Sequence, residues 1–287
     1  MKTWIVVLSL IAMNAGANEL DIAAQCPDAT AEQISQARKI IRYFKTAEAR
    51  FFNNVQNFNV FQTKTSDEFE YDDAWYGVEV ARGDVIAKAG FMKNTRTEAA
   101  PPFFPKPCFH RYIDVNVHPI TPFVGFMHST IHFALNEDGT SQVGGTMLLV
   151  PAVSIEEDIT RIRSSVDKAF RRYGMDVERY RQGVCSGYRK TNLQVACAGA
   201  SFYQPPGLEV NARNVDLVIA TYEAMVNQYF RALDRRKGQR YTEADLAERD
   251  AMRLRWFKDQ LAGDHFLAGT IPWDVWTLAN QAPQLRF

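Results

Sequence analysis

In the middle of the chain, hydrophobic and polar positions alternate with a period of two, as they do in a β-strand that buries one face. A first run covers 111–118 and a second covers 123–133, with two prolines between them. A third run, 142–150, follows an Asn-Glu-Asp-Gly turn signal. The polar positions are Asp114, Asn116 and His118 in the first run and His128, Thr130 and His132 in the second. These runs predict a meander of three antiparallel strands.

Apolar residues at helical spacing predict most of the remaining elements. Two helices start at a capping box, formed by Thr30 with Gln33 and by Ser154 with Glu157, and Gly174 is the predicted stop of the second. Before the meander, we predict a loop over 59–74 and a hairpin over 74–92. After it, we predict short helical structure at 177–181, a small-residue strand over 193–203 and helices at 211–237 and 242–261. A strand that starts at 254 is the alternative for the end of the last helix. This pattern favours one α+β domain in which helices cover an antiparallel sheet.

The first 17 residues have the pattern of a secretory signal peptide. Lys2 supplies a basic start, residues 3–13 an apolar run, and Ala15-Gly-Ala17 a cleavage signal. The apolar run is too short to cross a bilayer, which takes about 20 residues. We therefore predict a signal peptide at 1–17, a folded domain at 18–287, and export to the periplasm or out of the cell. A buried N-terminal strand is the alternative.

Export changes how the four cysteines, Cys26, Cys108, Cys185 and Cys197, are interpreted. In an oxidising compartment they allow two disulfides in any of three pairings, and free buried thiols are the alternative. No two of them have C-x-x-C spacing, so the sequence does not support a zinc knuckle or a thioredoxin-type motif.

Composition indicates an ordinary globular protein of 287 residues, 46% of them hydrophobic. The 33 basic residues balance the 33 acidic ones, so no net charge favours nucleic acid or an anionic membrane as a partner. No later stretch is long and uncharged enough to span a membrane. We expect the partner to be a small molecule bound at a specific site.

Four of the five histidines fall within 23 residues, between His110 and His132. Imidazole serves both as a general base near neutral pH and as a metal ligand. A hydrogen-bonded structural role is the alternative for each, and the one we expect for His110. His128 and His132 share one side of an apolar strand and therefore need partners or a solvated cavity. His118, His128 and His132 form an alternative metal site, although histidines four apart on a strand do not converge.

Two stretches around these histidines resemble the oxygen-dependent coproporphyrinogen III oxidases. His118-Pro-Ile-Thr-Pro122, with His128 ten residues after His118, is similar to the family's HPxNPxxPxxH segment. Gly144-Gly-Thr-Met-Leu-Leu-Val-Pro151 is similar to its GGGxDLTP segment. Further on, Ala196–Phe202 resembles the RGIGGxFFDD strand and Asp274–Phe287 the C-terminal ESILMSxPPxxRW run. The similarity covers roughly residues 75 to 287 in order.

The resemblance implies a flat antiparallel sheet with helices on both faces, a homodimer, and oxidative decarboxylation of propionates to vinyl groups by O2 without a metal or organic cofactor. It assigns His128 as the catalytic acid or base. We assign substrate contacts to four other polar residues of the same strands, Asp114, His118, Thr130 and His132.

The sequence departs from the family where substrate carboxylates would bind. Val195 stands at the family's strand arginine, Tyr203 and Leu148 at two aspartates, and Thr130 and His132 at an asparagine and an arginine. The C-terminal GGR motif is not recognisable. Valine or leucine cannot replace a charged, bidentate partner. Arg111, or His132 if protonated, is the substitute cation that the sequence offers.

Three hypotheses follow. The first is a divergent O2-dependent, cofactor-free oxidase or oxidative decarboxylase acting on a carboxylate-bearing or tetrapyrrole-like substrate. The second is a non-catalytic exported protein that binds a tetrapyrrole or a metal. The third is an authentic coproporphyrinogen III oxidase of haem biosynthesis.

Overall fold

The computed structural model describes residues 21–99, 105–187, 195–203, 207–259 and 270–283. The predicted signal peptide lies outside these ranges. The described chain folds around one antiparallel sheet whose order is β1-β2-β3-β4-β5-β7-β8, with β6 also paired to β5. The strands are β1 (Gln62–Tyr71), β2 (Ala74–Gly83), β3 (Ile86–Arg96), β4 (Pro107–Pro119), β5 (Phe126–Asn136), β6 (Ser141–Gly144), β7 (Thr146–Val150) and β8 (Ala196–Ser201). The predicted α+β class is confirmed.

Helices cover both faces of the sheet. They are α1 (Ile22–Gln25), α2 (Ala31–Phe58), α3 (Glu156–Arg172), α4 (Glu178–Gly187), α5 (Ala212–Arg236), α6 (Glu243–Lys258) and α7 (Trp273–Asn280). The apolar stripes of α2, α3 and α5 form the main core with one face, where Val115, Val117 and Ile131 are fully buried. α7 packs against β2 and β3 on the opposite face, and Trp256 of α6 contacts Phe126 there.

The capping box predicted for α2 is formed. Thr30 Oγ1 accepts a hydrogen bond from Gln33 N, and Gln33 Oε1 accepts one from Thr30 N. The box predicted at Ser154 is wrong, because α3 begins at Glu156 and its N-cap, Ile155, makes no side-chain cap. Acidic side chains in the first turn complement the helix dipole instead.

Residues 59–74, predicted to be a loop, contain the edge strand β1. Its ten residues pair with β2 from Gln62 opposite Gly83 to Tyr71 opposite Ala74. Nearly all of its side chains are exposed on both faces. Since neither face is buried, the strand has no alternation of apolar and polar residues by which the sequence would reveal it.

The third predicted strand is divided at Gly145. Its first part, β6, pairs with the end of β5, and its second part, β7, pairs with the start of β5. Gly145 has φ +151°, and a Cβ there would collide with the Thr130 carbonyl oxygen. The freed amide of Thr146 donates to Thr130 Oγ1 at 2.9 Å. Only glycine fits at position 145, between β6 and β7.

Two arginines attach α6 to the end of β4. Arg253 Nη2 donates to the Pro119 carbonyl at 2.8 Å, and Arg249 Nη1 donates to the Ile120 carbonyl at 2.6 Å. α7 approaches the sheet closely at Gly90, where a Cβ would collide with a helix carbonyl. Together the two helices bury the face of the sheet that carries the polar positions of β4 and β5 between two smaller apolar clusters.

The structure pairs the four cysteines as Cys26–Cys108 and Cys185–Cys197. The first disulfide joins the segment after α1 to β4, and the second joins α4 to β8. Among the described residues, no helix combines the length and the hydrophobicity needed to cross a membrane.

Candidate functional site

Strand alternation brings the predicted site residues onto one face of β4 and β5. Asn116 lies opposite His128 and Asp114 lies opposite Thr130. The apolar residues between them face the main core on the other side. All of the predicted site side chains are buried, which places a row of polar groups inside the protein. The prediction that His128, Thr130 and His132 share a face is confirmed.

The centre of this row is a close contact between His128 and Asp114. His128 Nε2 lies 3.1 Å from Asp114 Oδ1, and the two side chains are only 7% and 1% exposed. The distance suits an ion pair, but the two atoms are not aligned for a hydrogen bond, and neither has another hydrogen-bond partner in the described chain. Burying such groups unsatisfied is costly, so their presence favours a functional explanation.

Aromatic rings enclose the pair on one side. Trp256 lies edge-on to His128, with ring centroids 5.2 Å apart, and contacts Phe126 at 4.2 Å. Phe126 in turn stacks on His118 at 4.3 Å. These rings make the surroundings of His128 apolar, which strengthens electrostatic interactions there.

Asn280, at the end of α7, connects the row to its helical cover. Its Nδ2 donates to Asp114 Oδ2 at 3.4 Å, and its Oδ1 accepts from Asn116 Nδ2 at 2.9 Å. Its carbonyl accepts from Trp256 Nε1 and lies 3.4 Å from His118 Nε2. Sequence reasoning missed both Asn280 and Trp256, because the side chains that reach this face come from helices far along the chain.

Two buried cations lie beside His118. Lys88 is directly opposite it on β3, and the Lys88 Nζ donates to the Gln281 carbonyl at 2.7 Å. Burial lowers the pKa of Lys88 well below its usual value. Burial also lowers the pKa of Arg253, to about 10, so this side chain stays positive at neutral pH. Desolvation, followed by the charges of Arg253 and Lys88, lowers the pKa of His118 well below its ordinary value.

The remaining predicted contacts, Thr130 and His132, lie further along the row. Thr130 Oγ1 is held by the Thr146 amide and lies 3.5 Å from the Tyr203 hydroxyl. His132 lies beside His110, with ring centroids 5.1 Å apart. Burial lowers the pKa of His132 to about 3.

The prediction that Arg111 or a protonated His132 supplies the missing positive charge is therefore wrong. His132 is neutral at physiological pH because its buried ring cannot hold a charge cheaply. Arg111 points away from His128, since it belongs to the opposite phase of β4 and stacks over Phe109, 4.6 Å from the ring centroid. Arg253, from α6, is a buried cation on the correct face.

The predicted alternative metal site is not assembled. Among the described residues, no three or more His, Cys, Asp or Glu side chains are arranged to hold a metal ion. His118, His128 and His132 remain spread along the two strands, as their spacing on strands requires.

We expected His128 to point into the main cavity, but it does not line a spacious cavity that the structure describes beside the sheet. That cavity, of about 750 Å³, lies at the other end of β4 and is lined by Phe109, His110 and Arg111 among others. A small space of about 30 Å³ lies beside His110 and His132. The sheet face was predicted correctly, but His128 does not line this cavity, and its ring contacts Trp256 of α6 instead.

No protein-family model matches the sequence, and no curated protein is significantly similar to it. The resemblance to the coproporphyrinogen III oxidases therefore stays a prediction.

Proposed function

We propose that this protein is an enzyme in which His128, paired with Asp114, transfers a proton during the O2-dependent oxidation of a small carboxylate-bearing molecule. The observation that carries the proposal is the buried 3.1 Å contact between these two side chains. A carboxylate beside an imidazole fixes its orientation and stabilises its protonated form. The Nδ1 atom of His128 has no hydrogen-bond partner in the described chain, so a substrate group can engage it.

Arg253 supports the choice of a carboxylate as the substrate's charged group. It is 2% exposed and belongs to the same helix as Trp256, which contacts His128. Its guanidinium donates to the Pro119 carbonyl through Nη2, and Nη1 lies 3.7 Å from the exposed Asp250. A buried guanidinium matches a carboxylate in charge and geometry.

The proposed reaction follows the chemistry that the family resemblance implies. A propionate group, R–CH2–CH2–COO⁻, reacts with O2 and one proton to give R–CH=CH2, CO2 and H2O2. The C–CO2 bond breaks and its electrons form the new double bond, while a hydride equivalent leaves the adjacent carbon and reduces O2. His128 delivers the proton that completes H2O2, and Asp114 stabilises the imidazolium from which it comes.

The test measures O2 uptake, CO2 release and H2O2 formation with the purified protein and a series of propionate-bearing mono- and dipyrroles. We expect one substrate to give the three changes in equal amounts. Replacement of the proton-transfer group typically costs about 10²–10⁴-fold in rate, so His128→Gln should lose at least about a hundredfold. His110→Gln, on the same face of β4 but without contact to Asp114, is the matched control and should retain activity. Turnover unaffected by His128→Gln in folded protein would refute the proposal.

Coproporphyrinogen III belongs in the same series and should be a poor substrate, because Val195 and Leu148 stand where the family carries charged residues. Turnover comparable to that of a housekeeping oxidase, abolished by His128→Ala, would instead identify an authentic coproporphyrinogen III oxidase. An absorption spectrum of the purified protein tests the hypothesis that it binds a tetrapyrrole without catalysis. A stoichiometric Soret band would indicate such a bound tetrapyrrole.

A further inference from the structure

The cavity of about 750 Å³ lies between the middle of α2 and the adjoining ends of β3 and β4. Cys108, which forms the disulfide with Cys26, is part of its wall. Its volume falls within the range of about 300–1,000 Å³ that is typical of small-molecule sites. Because His128 and Asp114 do not line it, the cavity is separate from the proposed catalytic pair.

Apolar side chains supply a large part of the cavity wall. Phe44 and Ile41 project from α2, Phe109 from β4, and Trp75 from the start of β2. Trp75 is only partly buried, and its ring lies over Gly77, where a Cβ would collide with the indole. Such a wall suits a ligand with an aromatic or branched hydrocarbon body.

Charged side chains in the same wall favour a negative ligand. The lining contains five cationic side chains and three acidic ones. All three acids pair with lysines, since Lys93 lies 2.8 Å from Glu48 and Lys106 lies 3.3 Å from Glu137 and 3.6 Å from Glu98. Arg96 pairs with Asp73, which is outside the lining. The Arg111 guanidinium lies over the Phe109 ring, 4.6 Å from its centroid, and its Nη1 donates to the His110 carbonyl at 2.8 Å. A planar guanidinium above an aromatic ring presents its N–H groups at the edge of an apolar surface.

We propose that this cavity is a binding site for an organic anion with an aromatic body, such as an aryl carboxylate or sulfonate. The apolar part lies against Phe44, Phe109 and Trp75, while the acidic group is bound by Arg111 and Lys45. The site is independent of the His128–Asp114 pair, so it stands whether or not that pair is catalytic.

Anilinonaphthalene sulfonate is a suitable probe, because it combines aromatic rings with one fixed negative charge and fluoresces strongly when shielded from water. The uncharged phenylnaphthylamine has the same ring system and reports the contribution of the charge. We expect saturable binding of one sulfonate probe per chain, at least about tenfold tighter than that of the neutral analogue and weaker at high salt.

Two charge-removing variants on α2 locate the site. Lys45→Gln removes a cation that lines the cavity, whereas Lys39→Gln removes one that pairs with Asp216 outside it. We expect Lys45→Gln and Arg111→Gln each to weaken binding about threefold to tenfold, and Lys39→Gln to have no effect. Trp75→Phe should remove most of the protein's fluorescence quenching by the probe, since the other described tryptophans lie elsewhere.

The outcomes that would overturn the proposal are distinct. Equal binding of the charged and neutral probes would show that the cations take no part. Equal effects of Lys45→Gln and Lys39→Gln would indicate attraction by overall charge, and unchanged quenching in Trp75→Phe would place the probe elsewhere. Circular dichroism and thermal unfolding of each variant verify that it is folded.

Discussion

Lowering the pH should destabilise this protein through His132. This side chain is 1% exposed, and burial lowers its pKa from 6.5 to about 3. Among the described residues, it lies near His110 from β4, the Tyr203 ring and, across a small space, Arg96 from β3. None of these is an acid that would hold a proton on the ring. Folding therefore requires His132 to be neutral.

The sign and size of the change in stability follow from the pKa values of His132 in the folded and the unfolded chain. Because the folded pKa is lowered, the unfolded chain takes up the proton first, and stability is complete above pH 6.5 and falls below it. At about pH 5, roughly 1.5 units below the unfolded pKa, the loss is about 2 kcal/mol at about 1.36 kcal/mol per unit. It continues to grow until the pH reaches the folded pKa of about 3.

The assay is urea denaturation of the wild type and of His132→Gln at about pH 8 and about pH 5. The substitution changes stability by a constant amount through packing, and only the change of that difference with pH reports the histidine. We expect the wild type to lose about 2 kcal/mol more than the variant between the two pH values. If both proteins lose the same free energy, the ring is not held neutral by burial and the reasoning fails.

Two further predictions concern stability measured by the same method. Gly145→Ala should cost at least about 3 kcal/mol, because its φ is positive and its Cβ would collide with the Thr130 carbonyl, whereas Gly139→Ala, with φ +78° and open space, should cost about 1 kcal/mol. Equal costs would show that the division of the strand does not depend on the close approach. Asn280→Ala should cost about 2–3 kcal/mol because it leaves buried polar partners unsatisfied, and the exposed Asn227→Ala less than about 0.5 kcal/mol. A loss for Asn280→Ala no greater than that control would mean that its hydrogen bonds are dispensable.

The parts of the fold that could be predicted are those in which one face is buried and the other is not. α2 follows from its stripe and its capping box, and β4 from its strict alternation. β1 could not be predicted in this way, since both of its faces are exposed and its structure comes from pairing with β2. Likewise, α3 begins two residues after Ser154, and its first turn includes Asp158, which is bound by Arg235 and Arg236 of α5.

The candidate site also has one part that the sequence could predict and one part that it could not. Period-two alternation placed His128 and Asp114 on one face, because it depends only on local geometry. It did not reveal Asn280, Trp256 or Arg253, because these residues reach the site through the packing of separate helices. The same packing brings Trp256 against the His128 ring, which local periodicity cannot describe.

The two faces of the sheet are completed at different points along the chain. The helices that cover the main core are present once α5 ends at Arg236. Trp256 and Asn280, which contact His128 and Asp114, belong to α6 and α7, which follow it. A chain emerging in the N-to-C direction can therefore form its hydrophobic core while His128 and Asp114 are still in contact with water. We therefore expect assembly of the site to be a late step, and shortened chains ending after Arg236 to collapse without forming it.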